Sequence, residues 1–187
     1  MADFTRDEIK ATVKASKHLY HVIRYFSSGK VVMADFTSDE IETIVKTSRR
    51  LGGANLSGAN LSNADLRSAD LPGTTLSEAD LSAAILDGAN MSGADLTNAD
   101  LSKAKLWGGN LRKATLHHAN LRNADLNHAD LRQASLHDAN LSNADLRWAK
   151  MGGADLPGAI LSEALYNTDT IWPEGFDPEA AGAVFTK

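Results

Sequence analysis

The sequence predicts an all-β solenoid, a chain that coils on itself instead of folding into stacked layers. Three observations predict it. From Leu51 to Leu161 there are 23 positions spaced by five, and all are leucine except Met91 and Met151. The residue two before each next centre, from Ala54 to Ala164, is alanine except at Thr74 and Gly109. The position between them is mostly Asp or Asn, so the unit reads A-(D/N)-L-x-x over about 115 residues, a period that only a repeat architecture uses.

The spacing dictates the coil. A helix turns ~100° per residue, so leucines five apart rotate ~140° at each step and form no stripe. In a flat strand the faces alternate with period two, and an odd spacing sends successive leucines to opposite sides. Alanine and leucine two apart do share a strand face. A short extended stretch with both inward, then a corner at the two x residues, returns every leucine to one interior. Leu56, Leu76, Met91, Leu96, Leu116, Leu136 and Met151 are representative core positions. Thr74 brings a hydroxyl inside and requires a backbone partner, while Gly109 is expected to leave a small void.

The run "ANLSGANLSNADLRSADL" (54–71) resembles the pentapeptide repeat family, and its alanine-leucine-pure repeat is similar to cyanobacterial members. The resemblance covers about 60% of the chain. It implies a right-handed quadrilateral β-helix with four repeats per coil, hence nearly six coils, or roughly 28 Å at a strand spacing of ~4.8 Å.

Two segments flank the repeat. Residues 1–50 read as an N-terminal α-helical cap. "FTSDEIETIVKTSRRL" opens with a capping box (Thr37, Glu40) and a hydrophobic staple (Phe36, Ile41), and Gly52-Gly53 stops the helix. "MADFTRDEIKATVKAS" repeats this signature 32 residues earlier with 11 of 16 positions identical. Either this is a natural duplication, giving a helical pair, or residues 1–32 are an upstream extension before Met33. The apolar stripe of the earlier segment (Ile9, Val13, Tyr20, Ile23) favours the pair. Residues 167–187 abandon the repeat. Pro173 and Pro178 cannot donate to a ladder, and Trp172 and Phe176 are placed to seal the last coil as a C-terminal cap. Family members have similar W-P-x-G-F endings. The expected state is a monomer or an end-to-end homodimer through a terminal cap.

Function must then lie on the outward positions, which recur every 20 residues as columns. His117 and His137 share a column; Arg112 and Arg132 share another; Arg122 stands on a different wall; Trp107 and Trp148 share a wall two coils apart. These seven are the candidate partner surface. The Asp and Asn before each leucine do not read as catalytic acids, because a repeat offers equal environments and Asx side chains cap local turns.

Composition excludes much. With no cysteine there are no disulfides, thiolate metal sites or cysteine nucleophiles. The net charge of −5 argues against nucleic-acid binding, and no apolar run reaches the ~18 residues of a membrane span. No secretory signal is recognisable, so the expected location is the cytoplasm. No Walker loop, dinucleotide fingerprint, HExxH or nucleophile elbow occurs. The reading is a non-enzymatic scaffold without cofactor, presenting side-chain columns to an unknown protein partner. Two alternatives stand beside it. One is a DNA mimic that binds DNA gyrase, as the resemblance to fluoroquinolone-resistance members implies. The other is a metal protein using His117 and His137.

Overall fold

The computed structural model describes residues 51–187; the helical segments read from residues 1–50 lie outside the described residues. Parallel bridges join residues 20 apart without interruption, from Asn55 with Thr75 to Asp145 with Leu165. Twenty residues are four units of five, so each coil has four walls and each wall is a stack of equivalent repeats. The extended part of a repeat is so short that pairing occurs as single bridges. Among the described residues only β1 (Leu165–Tyr166) and β2 (Val184–Phe185), paired in parallel, extend over two residues.

The interior follows the alanine-leucine register. Leu56, Leu76, Met91, Leu96, Leu116, Leu136 and Met151 are all at most 1% exposed, and the alanines line the same core. Thr74 donates its hydroxyl to the Leu71 carbonyl at 2.8 Å, the partner its burial requires. At Gly109 a Cβ would lie 3.1 Å from the Leu106 carbonyl oxygen, and the Gly109 N–H closes the corner on that same oxygen at 2.9 Å, as alanine does in the other repeats.

Where Asx precedes the leucine, a repeat satisfies its N–H groups by position. In the repeat centred on Leu56, the leucine N–H reaches Thr75 O in the next coil at 2.7 Å, and Gly58 N–H reaches Ser77 O at 2.9 Å. Ala59 N–H closes the corner on Leu56 O, and Asp80 N–H, one coil on, returns to Ala59 O. The fifth, on the first corner residue, goes to a side chain: Ser57 N–H donates to Asn55 Oδ1 at 3.0 Å. Asp or Asn before a leucine therefore completes the backbone accounting of its corner, which is the local-turn role expected of it.

The corners carry positive φ at their second residue, as a type II turn demands. Glycine fills eight of these 23 positions and other residues fill fifteen, among them Ala83 at 55° and Trp148 at 58°. A non-glycine residue there costs roughly 1 kcal/mol or more. The coil-to-coil bonds hold it in place nonetheless, as in Lys113 N–H to Arg132 O at 3.0 Å.

Beyond Leu165 the register slips by one, with Lys150 bridging Ile171. Trp172 stacks on Phe176 at 5.2 Å, Tyr166 meets the edges of both Trp172 and Phe185, and Trp172 and Phe176 pack against the core. Burial, joined by the hydrogen bond to Glu179, pushes the Tyr166 hydroxyl above its ordinary range.

Candidate interaction surface

One sequence difference sorts the arginines. Arg67, Arg132 and Arg147 follow an aspartate two residues earlier, and each folds back onto it. Arg132 donates to both oxygens of Asp130 at 2.8 and 2.5 Å, and Arg147 to both oxygens of Asp145 at 2.9 and 2.6 Å. Arg112 and Arg122 follow Asn110 and Asn120, which accept only the backbone N–H. Their guanidinium groups, exposed, have no carboxylate partner among the described residues. Asparagine in place of aspartate thus keeps the corner and releases the charge.

The pairing affects the acids as well. The side-chain hydrogen bond from Arg132 holds the Asp130 carboxyl below the usual carboxylate range. At Asp145 burial pushes upward, and the hydrogen bonds and charge of Arg147 overcome it.

Charge is banded along the rod. Residues 68–102 contain Asp70, Glu78, Asp80, Asp87, Asp95 and Asp100 and no Lys or Arg. Residues 103–122 contain Lys103, Lys105, Arg112, Lys113 and Arg122 and no Asp or Glu. Within one coil of length, three walls of the latter band carry Lys or Arg and the fourth carries His117 and His118.

His117 and His137 lie one above the other, with ring centroids 5.1 Å apart. Their Nε2 atoms turn to different partners: that of His117 meets Ser135 Oγ at 2.7 Å and that of His137 meets Asp155 Oδ2 at 2.5 Å. Among the described residues no three His, Asp or Glu side chains converge as a metal would require. A cleft of about 340 Å³ opens beside Leu156, Pro157, Pro173 and Phe176, with Glu174 as its only ionisable lining residue.

Trp107 and Trp148, 54% and 38% exposed, share a wall as expected. They are not separate features. His128 fills the intervening level, 5.7 Å from Trp107 edge-on and 5.1 Å from Trp148 face-on, so three rings form one aromatic column. Sequence reasoning did not connect His128 to the two tryptophans. The signal was available, since His128 and Trp148 are 20 residues apart at the same corner position. Lys105 cannot cap the corner at Trp107, and Asp87 from the coil before supplies the acceptor for its N–H at 3.2 Å.

The family described as Pentapeptide repeats matches in eight copies, over residues 50–82, 75–112, 99–138 and 139–164. Among solved structures, a pentapeptide repeat protein from Nostoc is 33% identical over 80% of this chain and 93% of its own, with a TM-score of 0.28. HetL, a Nostoc pentapeptide repeat protein involved in heterocyst differentiation regulation, is 34% identical over 62% of this chain and 75% of its own, with a TM-score of 0.25. Full-length QnrB1, a plasmid-mediated fluoroquinolone resistance protein, is 15% identical over 70% and 79%, with a TM-score of 0.41. The search of curated proteins finds no match.

Proposed function

The chain belongs to the pentapeptide repeat family, whose fold is the right-handed quadrilateral β-helix, and from that premise we propose a non-enzymatic scaffold that binds a protein partner through its middle coils. The observation that carries this is the set of uncompensated cations. Arg112, Lys113 and Arg122 are exposed, lack carboxylate partners among the described residues, and stand on a backbone held by continuous pairing. An arginine at such a site keeps its full charge and its bidentate geometry for another molecule. The fitting partner presents an acidic surface, and we place the encounter in the cytoplasm.

The test is affinity capture from the source cell's lysate, comparing wild type with a variant carrying serine at Arg112, Arg122, Arg132, His117 and His137. All five side chains point outward, so the variant should keep its fold. A protein retained by wild type and lost by the variant supports the reading; identical recovery from both removes it.

The DNA-mimic reading draws on the acid-only stretch 68–102. The next coil works against it, because Lys105, Arg112 and Arg122 put positive charge on three walls where a mimic needs phosphate-like charge. A gyrase supercoiling assay separates the two, since a mimic inhibits and a cation-banded scaffold does not.

A further inference from the structure

The wall that carries the aromatic column is complementary to itself. Three of its columns run side by side along the rod: Lys105, Asp125, Asp145; Trp107, Asn127, Arg147; and Gly108, His128, Trp148. Each column advances by 20 residues, one coil per step, following the bridges Lys105 with Asp125 and Asp125 with Asp145. A two-fold axis in the plane of this wall, perpendicular to the rod, keeps every column facing its own copy and reverses the order of levels. With the axis at the level of His128, the level of Lys105 faces the level of Asp145 in a second molecule.

We propose that this wall is the contact of an antiparallel, side-by-side homodimer, an inference independent of the partner reading above because none of Arg112, Lys113 and Arg122 stands on this wall. The three column matches are chemically specific. Lys105, exposed and without a carboxylate partner among the described residues, meets Asp145, whose carboxylate also holds Arg147 within its own chain. Trp107 meets the guanidinium of Arg147, which in the single chain already lies 5.9 Å from the Trp148 ring and has an affinity for indole faces. Trp148 meets Gly108, where nothing lies within 4 Å of the Cβ position, so the large side chain enters the space the glycine leaves. Each match occurs twice, as an isologous interface requires. Asp125 meets its own counterpart at the axis, with Lys105 one level away in the same column. The column of rings supplies the exposed apolar surface that such a contact buries, and aromatic residues with arginine are the usual anchors of interfaces.

The full chain is measured by sedimentation equilibrium at low and physiological salt. Gly108→Lys blocks the space for Trp148, and its corner tolerates lysine, because Lys103 and Lys113 occupy the same position at φ of 59° and 60°. Wild type is expected to be a dimer and Gly108→Lys a monomer with an unchanged circular dichroism spectrum. Lys105→Asp is expected to weaken dimerisation at least tenfold, and adding Asp145→Lys to restore it. A wild type that stays monomeric at high micromolar concentration overturns the proposal. So does a dimer that survives Gly108→Lys, which would place the contact at a chain end.

Discussion

His128 lies face to face with Trp148, their ring centroids 5.1 Å apart and their planes 13° from parallel, while its other side meets the edge region of Trp107. Two tryptophans two coils apart are thereby joined into one surface. The relation depends on the 20-residue coil, since no local contact brings positions 107, 128 and 148 together.

His128→Ala should break this column without touching the interior. The expected loss is about 0.5–1.5 kcal/mol, the usual worth of an aromatic contact. Urea unfolding measures it, and a red shift of native tryptophan emission should accompany it.

At Asp145 two roles can be separated. Asp145→Asn keeps the oxygen that accepts the Arg147 N–H and removes the ion pair, as already occurs at Asn110 with Arg112. The expected cost is at most about 1 kcal/mol. Asp145→Ala removes both and should cost about 1–2 kcal/mol. Thermal unfolding of the two variants side by side measures the difference.

The same pairing sets an acid limit. The Asp130 and Asp145 carboxyls lie below their ordinary range in the folded chain. Their contribution is therefore complete above the unfolded value of about 3.9 and is lost as pH falls from there through the lower folded values. Melting temperature should drop as pH falls below about 4, and Asp145→Asn should show a shallower drop.

The corners predict a stabilising change. Ala83 sits at φ 55° with a methyl group that a left-handed corner does not favour. Ala83→Gly should raise stability by about 0.5–1 kcal/mol, after the greater chain entropy of glycine is counted. Gly93→Val, which puts a branched side chain at φ 64°, should lower it by more. Chemical denaturation checks both.

Core depth should grade the cost of truncation. Leu116 is fully buried, so Leu116→Ala is expected to cost about 2–5 kcal/mol. Leu156 is 9% exposed and lines the C-terminal cleft, so Leu156→Ala should fall at or below the lower end of that range. Equilibrium unfolding distinguishes them.

The interior was readable because five is incompatible with helix and flat strand alike, and the alanine-leucine register left one inward side. The Asx role was readable for the same reason, as a repeated position has a repeated partner. Four-sidedness came from the family resemblance; the bridges between Asn55 and Thr75 and their successors make it explicit. The close approach of the Leu106 carbonyl oxygen to the Cβ position of Gly109 was not readable, because it is set by the turn geometry and not by residue type. Nor was the release of Arg112 and Arg122. Their contrast with Arg132 and Arg147 appears only once the bidentate fold-back onto Asp130 and Asp145 is seen.

The central claim is that these released cations hold a partner. Its most direct test is the affinity of the captured partner for wild type and for an Arg112→Gln, Arg122→Gln double variant, measured from 50 to 500 mM salt. The account predicts at least tenfold weaker binding by the variant at low salt and a flatter salt dependence, because fewer charge contacts remain to be screened. Equal affinity and equal salt dependence for the two proteins would contradict it.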